Sequence, residues 1–399
     1  MIIKPAKRTE CVQEYYFSQK LKEIARMNVA RKAAGESPVI NLGIGSPDGM
    51  PPMVAVEALC ESAVQPGNHA YQSYVGLPEL REAFAGWYAR WYGVDLDPSS
   101  EIQPLVGSKE GILLISLAFL DKGDKVLVPD PGYPTYSSAS KLVEAEILTY
   151  SLREDNGWKP DFEALEKMDL SGVKIMWTNY PNMPTGASAT DELYADLVAF
   201  GKRHGILICN DNPYSFILNE NPLSILSQPG AKECCLELNS LSKAHNMAGW
   251  RIGMVAADEQ VISQILKVKS QMDSGMFKPL QLAAVKALEQ GSEWFSELND
   301  EYRHRRVLAG EIFDMLGVEY DHESAGMFLW GKVPQNIIAG DGVSVGQVLS
   351  DKILYEAGVF ITPGFIFGRN GENYIRISLC ARQEILREAA DRIRRYIIC

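Results

Sequence analysis

Four clusters of polar residues stand where a β-strand should end. Lys125–Pro129 runs into Asp130-Pro131-Gly132-Tyr133, and Val173–Thr178 into Asn179-Tyr180-Pro181-Asn182-Met183-Pro184-Thr185-Gly186. Ile206–Asn210 is followed by Asp211-Asn212-Pro213-Tyr214, and Cys234–Asn239 by Ser240-Leu241-Ser242-Lys243. In an open α/β sheet, ligands bind outside the carboxyl ends of the strands, so the four clusters converge on one edge. A lysine or an aspartate alone in such a place is usually a cap or a surface charge. A carboxylate, a lysine, a stackable aromatic ring and a helix start suited to phosphate form a more specific set. They are the parts required by pyridoxal 5′-phosphate (PLP), which takes a Schiff-base lysine and a partner for its pyridinium nitrogen.

The anion-binding element is readable separately. Gly107-Ser108-Lys109-Glu110-Gly111 lies between the predicted strand Ile102–Val106 and the helix that follows, so backbone N–H groups and the helix dipole can face a phosphate. The spacing is not that of a Walker A loop. Gly43-Ile44-Gly45-Ser46-Pro47-Asp48-Gly49 misses the dinucleotide fingerprint by one residue and precedes no crossover helix, which argues against a nicotinamide site. Seven scattered cysteines without a C-x-x-C pair, and five histidines without an H-E-x-x-H helix, argue against a protein-ligated metal.

Positioning these residues requires a sheet with helices around it. From about residue 100 onward, short β-branched runs alternate with longer helical patterns, the signature of βαβ units and a mostly parallel sheet. Glu146–Ser151 and Ile252–Ala256 are further predicted strands, and Lys109–Leu120, Asp191–His204 and Glu259–Met272 predicted helices. An amphipathic helix is expected over 13–34, before the break Gly35-Glu36-Ser37-Pro38. The last hundred residues hold a charged helix around Glu301–Arg306, whose basic cluster reads as a solvated face. Strands near 326–332, 358–361 and 373–379 and a closing helix follow. The expected division is an arm and part of a small domain over 1–50, a large domain over 51–285, and a small α+β domain over 286–399.

Composition narrows the partners. The 399 residues are 46% hydrophobic and 23% charged, ordinary globular proportions, and the net charge is −12, the wrong sign for holding phosphate backbones. Nucleic acid is therefore an unexpected partner. The first twenty residues lack the apolar core of a signal peptide, and the oily stretch Gly111–Leu120 is about half of a membrane span. A cytoplasmic protein without membrane contact is expected.

From about residue 38 to 380 the chain resembles the class I/II aminotransferases of PLP-dependent fold type I. The most specific segment is Ser240-Leu241-Ser242-Lys243-Ala244-His245-Asn246-Met247-Ala248-Gly249-Trp250-Arg251-Ile252-Gly253. Tyr71-Gln72-Ser73-Tyr74-Val75-Gly76, the Asp130–Tyr136 turn, Asp211–Tyr214 and Asn373-Tyr374-Ile375-Arg376-Ile377-Ser378 follow the family's order. The resemblance implies a large domain with a mostly parallel seven-stranded sheet and a smaller α+β domain.

It also implies roles. Lys243 would be the Schiff-base lysine and, once displaced by substrate, would shuttle the proton between the substrate Cα and the cofactor C4′, a task worth roughly 10²–10⁴ in rate. Asp211 would pair with the pyridine nitrogen, Tyr214 would donate to the phenolic oxygen, and Tyr133 would stack on the ring. Ser108, Lys109, Ser240 and Arg251 would hold the phosphate, joined by Tyr71 from a second subunit, which implies a homodimer with shared sites. Arg376 would take the substrate carboxylate in a bidentate fork, with Gly45 allowing close backbone approach.

One departure matters. The family's asparagine before the second proline of the Pro-x-Asn-Pro-Thr-Gly turn is Met183 here, and a thioether accepts weakly and donates nothing. Asn182 does not inherit the role, because two prolines pin the turn. A higher Schiff-base pKa and weaker carboxylate binding are expected. The implied activity is transfer of an amino group from an L-amino acid to a 2-oxo acid, with 2-oxoglutarate as the expected acceptor, by a ping-pong cycle. A PLP-dependent C–S β-lyase and a catalytically weakened homologue remain alternatives. A PLP-sensing regulator would need a basic helix-turn-helix segment, for which the N-terminus has neither length nor charge.

Overall fold

A computed structural model describes residues 3–12 and 14–398; Gln13, at the start of the expected first helix, and Cys399 lie outside the described residues. A seven-stranded sheet runs in the order Ile102–Leu105, Gly253–Ala257, Cys235–Ser240, Leu207–Asp211, Val173–Thr178, Lys125–Asp130, Glu146–Ser151. Gly253–Ala257 is antiparallel to both neighbours, and the other pairings are parallel. The inner strands read as largely apolar runs because both faces are covered, whereas the edge strand Glu146–Ser151 buries only Tyr150. Met254 and Ala256 join the core beneath helices Pro78–Tyr92, Asp191–His204 and Lys278–Leu288. Val255 and Ala257 point the other way, into the core shared with Ser108–Phe119 and Glu259–Lys269.

Three strands are shifted by one residue from expectation, beginning at Leu207, Cys235 and Gly253 rather than at 206, 234 and 252. Asp211 and Ser240 are thus the last ladder residues of their strands, opposite Leu238 and Gly253. Backbone pairing, rather than a loop, fixes both.

A second, antiparallel sheet orders Thr362–Pro363, Tyr374–Ser378, Phe328–Lys332 and Glu319–Tyr320, with helices Ser292–Met315, Val345–Ala357 and Gln383–Ile398 in its core. Ile40–Asn41 pairs in parallel with Val359–Phe360, tying the N-terminal segment to this part of the chain. The expected solvated face of the charged helix is corrected at one residue. Arg305 is buried, bonding Asp48 Oδ1 at 2.7 Å and Glu301 Oε1 at 2.7 Å, because the helix lies against the segment that follows Gly45. Among the described residues no helix is long and apolar enough to cross a membrane.

Candidate active site

The carboxyl ends of the central strands, the turn at Gly107 and the segment Gly43–Gly45 enclose a cleft of about 420 Å³. A roomier hollow of about 760 Å³ lies off the edge strand Glu146–Ser151, but it includes none of the residues singled out for chemistry. Every expected site residue except Tyr71 lines the smaller cleft. Tyr71 stands outside it and is 91% exposed.

Asp211, at the end of its strand, and Lys243, in the turn just past the adjacent strand, face the same space. Lys243 Nζ donates to the carbonyl of Gly45 at 2.6 Å and lies 6.0 Å from the centre of the Tyr214 ring. Burial holds its pKa below the ordinary lysine range, and the charges of Arg376 and Arg251 act in the same direction. Asp211 Oδ2 accepts a hydrogen bond from the Tyr136 hydroxyl at 3.0 Å, whereas its buried Oδ1 has no partner among the described residues. Burial pushes the carboxyl up to about 7, against the opposing effects of Tyr136 and Lys243. The backbone behind it is braced by Asn179 Nδ2, which donates to the Asp211 carbonyl at 2.5 Å.

The anion-binding turn is built by backbone shape. Gly107 has φ +79°, and a Cβ there would collide with the guanidinium of Arg251. Ser108 begins the helix Ser108–Phe119 directly after it. Ser240, Ser242 and Arg251 form one hydrogen-bonded group, with 2.8 Å between the serine oxygens and 3.3 Å from Arg251 Nη1 to Ser242 Oγ. Lys109 reaches over the cleft, its ammonium 5.5 Å from the ring centre of Tyr15.

Arg376 is wholly enclosed on the second sheet, in register with Trp330 and Thr362. Its guanidinium carbon lies 3.9 Å from the centre of the Phe328 ring and 4.7 Å from that of Phe367. Nη2 donates to the Gly43 carbonyl at 2.7 Å, Nη1 contacts Met183 Sδ at 3.2 Å, and Nε has no partner among the described residues. Burial lowers its pKa to about 10. Asn182 is held within its own turn by Thr185, whose hydroxyl donates to Asn182 Oδ1 at 2.8 Å. Gly45 answers to a neighbour, since a Cβ would run into the Phe328 ring.

Sequence reasoning did not single out Tyr136, Phe328 or Phe367 as site residues. Tyr136 was within reach, because it follows Tyr133 by three residues on the helix Pro134–Leu142 and so shares its face. The two phenylalanines carry no local signal, since only tertiary folding brings them to Arg376.

Comparison with known proteins agrees with this geometry. The family model for aminotransferase class I and II matches residues 37–393. An LL-diaminopimelate aminotransferase of Dehalococcoides mccartyi is 38% identical over 396 residues, covering 99% of each chain. Its counterpart from Aquifex aeolicus is 42% identical over 358 residues, 89% of this chain and 91% of the relative. Among solved structures, substrate-bound BacF from Bacillus subtilis superposes with a TM-score of 0.90 at 34% identity, covering 100% of this chain and 98% of that one. With this match spanning both sheets and the cleft between them, the chain belongs to the class I and II aminotransferases, enzymes of PLP-dependent fold type I.

Proposed function

We propose that the cleft binds PLP through Lys243 and Asp211 and transfers an amino group from an L-amino acid to 2-oxoglutarate by a ping-pong cycle. The observation that carries the reading is Asp211 Oδ1, a buried acceptor without a partner among the described residues, in the cleft that Lys243 lines. A cationic ring nitrogen would satisfy it. PLP, when bound, supplies the electron sink for charge left at the substrate Cα. Lys243, whose lowered pKa favours a neutral amine, would hold the cofactor and then move the Cα proton. Tyr214 would donate to the phenolic oxygen and Tyr133 would cover the ring. The N–H groups of Ser108 and Lys109, the Ser240 hydroxyl and Arg251 would hold the phosphate, and Arg376, beside Gly45, the substrate carboxylate.

Two cations support a dicarboxylate acceptor. Arg376 serves one end, and the Lys109 ammonium, which makes no ion pair among the described residues, overlooks the other. Asp211 is the sole carboxylate lining the cleft among the described residues. A donor with a second ammonium group, such as the diaminopimelate in the relatives' names, would therefore need its distal end read by a partner subunit. A homodimer is supported by exposed Tyr71 and Phe277, whose segments meet where Gly275 lies against Gln72 and Phe277 against His69. The same reading retains the division at residues 50 and 285.

The test is reconstitution with PLP, borohydride trapping, and a panel of L-amino acid donors with 2-oxoglutarate. Label on Lys243 and acceptor-dependent turnover are expected. Protein that stays colourless, or an adduct on another lysine, would overturn the reading. Pyruvate and ammonia released without an acceptor would point to the lyase instead.

A further inference from the structure

Asp130 is the last residue of the strand Lys125–Asp130, three residues before Tyr133, and is not among the residues that line the cleft. Its carboxylate accepts two consecutive backbone N–H groups from a turn 240 residues further along the chain. Arg369 N donates to Oδ2 at 3.2 Å and Asn370 N to Oδ1 at 3.0 Å. The Asp130 carbonyl accepts from Asn370 Nδ2 at 3.0 Å, and Gly132 N donates to the Phe367 carbonyl at 2.8 Å. Gly368, at φ +139°, lies so close that a Cβ would collide with Asp130 Oδ1. Four hydrogen bonds thus clip the turn Gly364–Gly371 to the end of a strand in the other sheet. The turn carries Phe367, one of the two rings nearest the Arg376 guanidinium; a third, Phe17, lies farther off at 5.7 Å.

The arrangement of Arg376 makes that ring matter. Among the described residues its nitrogen atoms have one strong acceptor, the Gly43 carbonyl, and one weak acceptor, Met183 Sδ, and Nε is unpartnered. With so few hydrogen bonds, the plane of the fork is set largely by the ring walls of Phe328 and Phe367, and carboxylate affinity depends on that plane. We propose that Asp130 is a positioning residue for the substrate carboxylate, acting through Phe367 on Arg376. The proposal rests on the reading of Arg376 given above.

The holoenzymes Asp130→Ala, Gly368→Ala, Phe367→Ala, Arg376→Lys and the double variant Asp130→Ala/Phe367→Ala are compared, with thermal melting as a folding check. Asp130→Ala should raise KM for both amino acid and oxo acid roughly tenfold, with kcat and the visible spectrum little changed. Gly368→Ala, which breaks the same clip from the opposite side, should do the same, so the test survives misfolding of either variant. The double variant should be no worse than Phe367→Ala alone. Additive effects, a fall in kcat at constant KM, or loss of cofactor absorbance, which would implicate Tyr133 instead, each overturn the proposal. If Arg376→Lys leaves KM unchanged, the assignment of Arg376 itself fails. If it raises KM while the Asp130 and Gly368 variants do not, only the clip fails.

Discussion

Replacing Asp211 by asparagine removes a charge from a side chain that is only 4% exposed while keeping its size. In the cofactor-free chain, burial raises this carboxyl from 3.8 to about 7. The folded chain then holds the proton more tightly than the unfolded one. The stability this contributes is complete below the unfolded value, declines as pH rises, and is gone above the folded value. About three pH units at ~1.36 kcal/mol each amount to about 4 kcal/mol, of which about 2 kcal/mol is lost between roughly pH 5.5 and 8.5. The asparagine variant has no such titration. Urea unfolding of both cofactor-free proteins at those two pH values should show the variant gaining about 2 kcal/mol on the parent as pH rises. With PLP bound the sign reverses, because the variant leaves a buried cation without its counter-charge, a loss of about 3–5 kcal/mol or roughly two to four orders of magnitude in affinity. A stability gap that stays flat with pH would refute the buried-charge reasoning. Undiminished PLP retention would refute the role of Asp211.

Three further outcomes are expected. Met183→Asn gives Arg376 a full acceptor in place of sulfur, worth about 1.5–3 kcal/mol for a charged donor, and should lower substrate KM by roughly ten- to a hundredfold or raise turnover. Unchanged kinetics and absorbance in that variant would count against Met183 as the source of weakened binding. Arg376→Lys cannot fork or stack between Phe328 and Phe367, so KM for carboxylate substrates should rise about a hundredfold, measured by steady-state kinetics. If Tyr71 completes the neighbouring site, mixing Tyr71→Ala and Lys243→Ala subunits should restore about a quarter of the parent activity, since half the dimers then carry one intact site. No recovery on mixing would mean that the sites are not shared.

Much of the large sheet was legible because its signals are local. A strand buried on both faces must be a short apolar run, and the chain must turn at its end. Val173–Thr178 therefore matched residue for residue, whereas the largely exposed edge strand Glu146–Ser151 matched on its β-branched and aromatic residues. The one-residue shifts at Leu207, Cys235 and Gly253 arose because hydrogen-bond register, which decides where a ladder begins, is set by the neighbouring strand. Arg305 was misread for a similar reason: its helix carries the charge pattern of a solvated face, and the partner that buries it, Asp48, lies 257 residues away.

The sequence by itself determined that a lysine, a carboxylate, an aromatic ring and an anion-binding turn would gather at the ends of parallel strands, since strand and turn preferences place each residue within a few positions of its own. Tertiary structure alone decided what surrounds them. It put Phe328 and Phe367 on Arg376, set Tyr136 on one carboxylate oxygen of Asp211 and turned the other toward the cleft, and joined Asp130 to the turn at Arg369. Such contacts depend on the order in which strands lie side by side and on how two sheets meet, and no short stretch of chain carries that information.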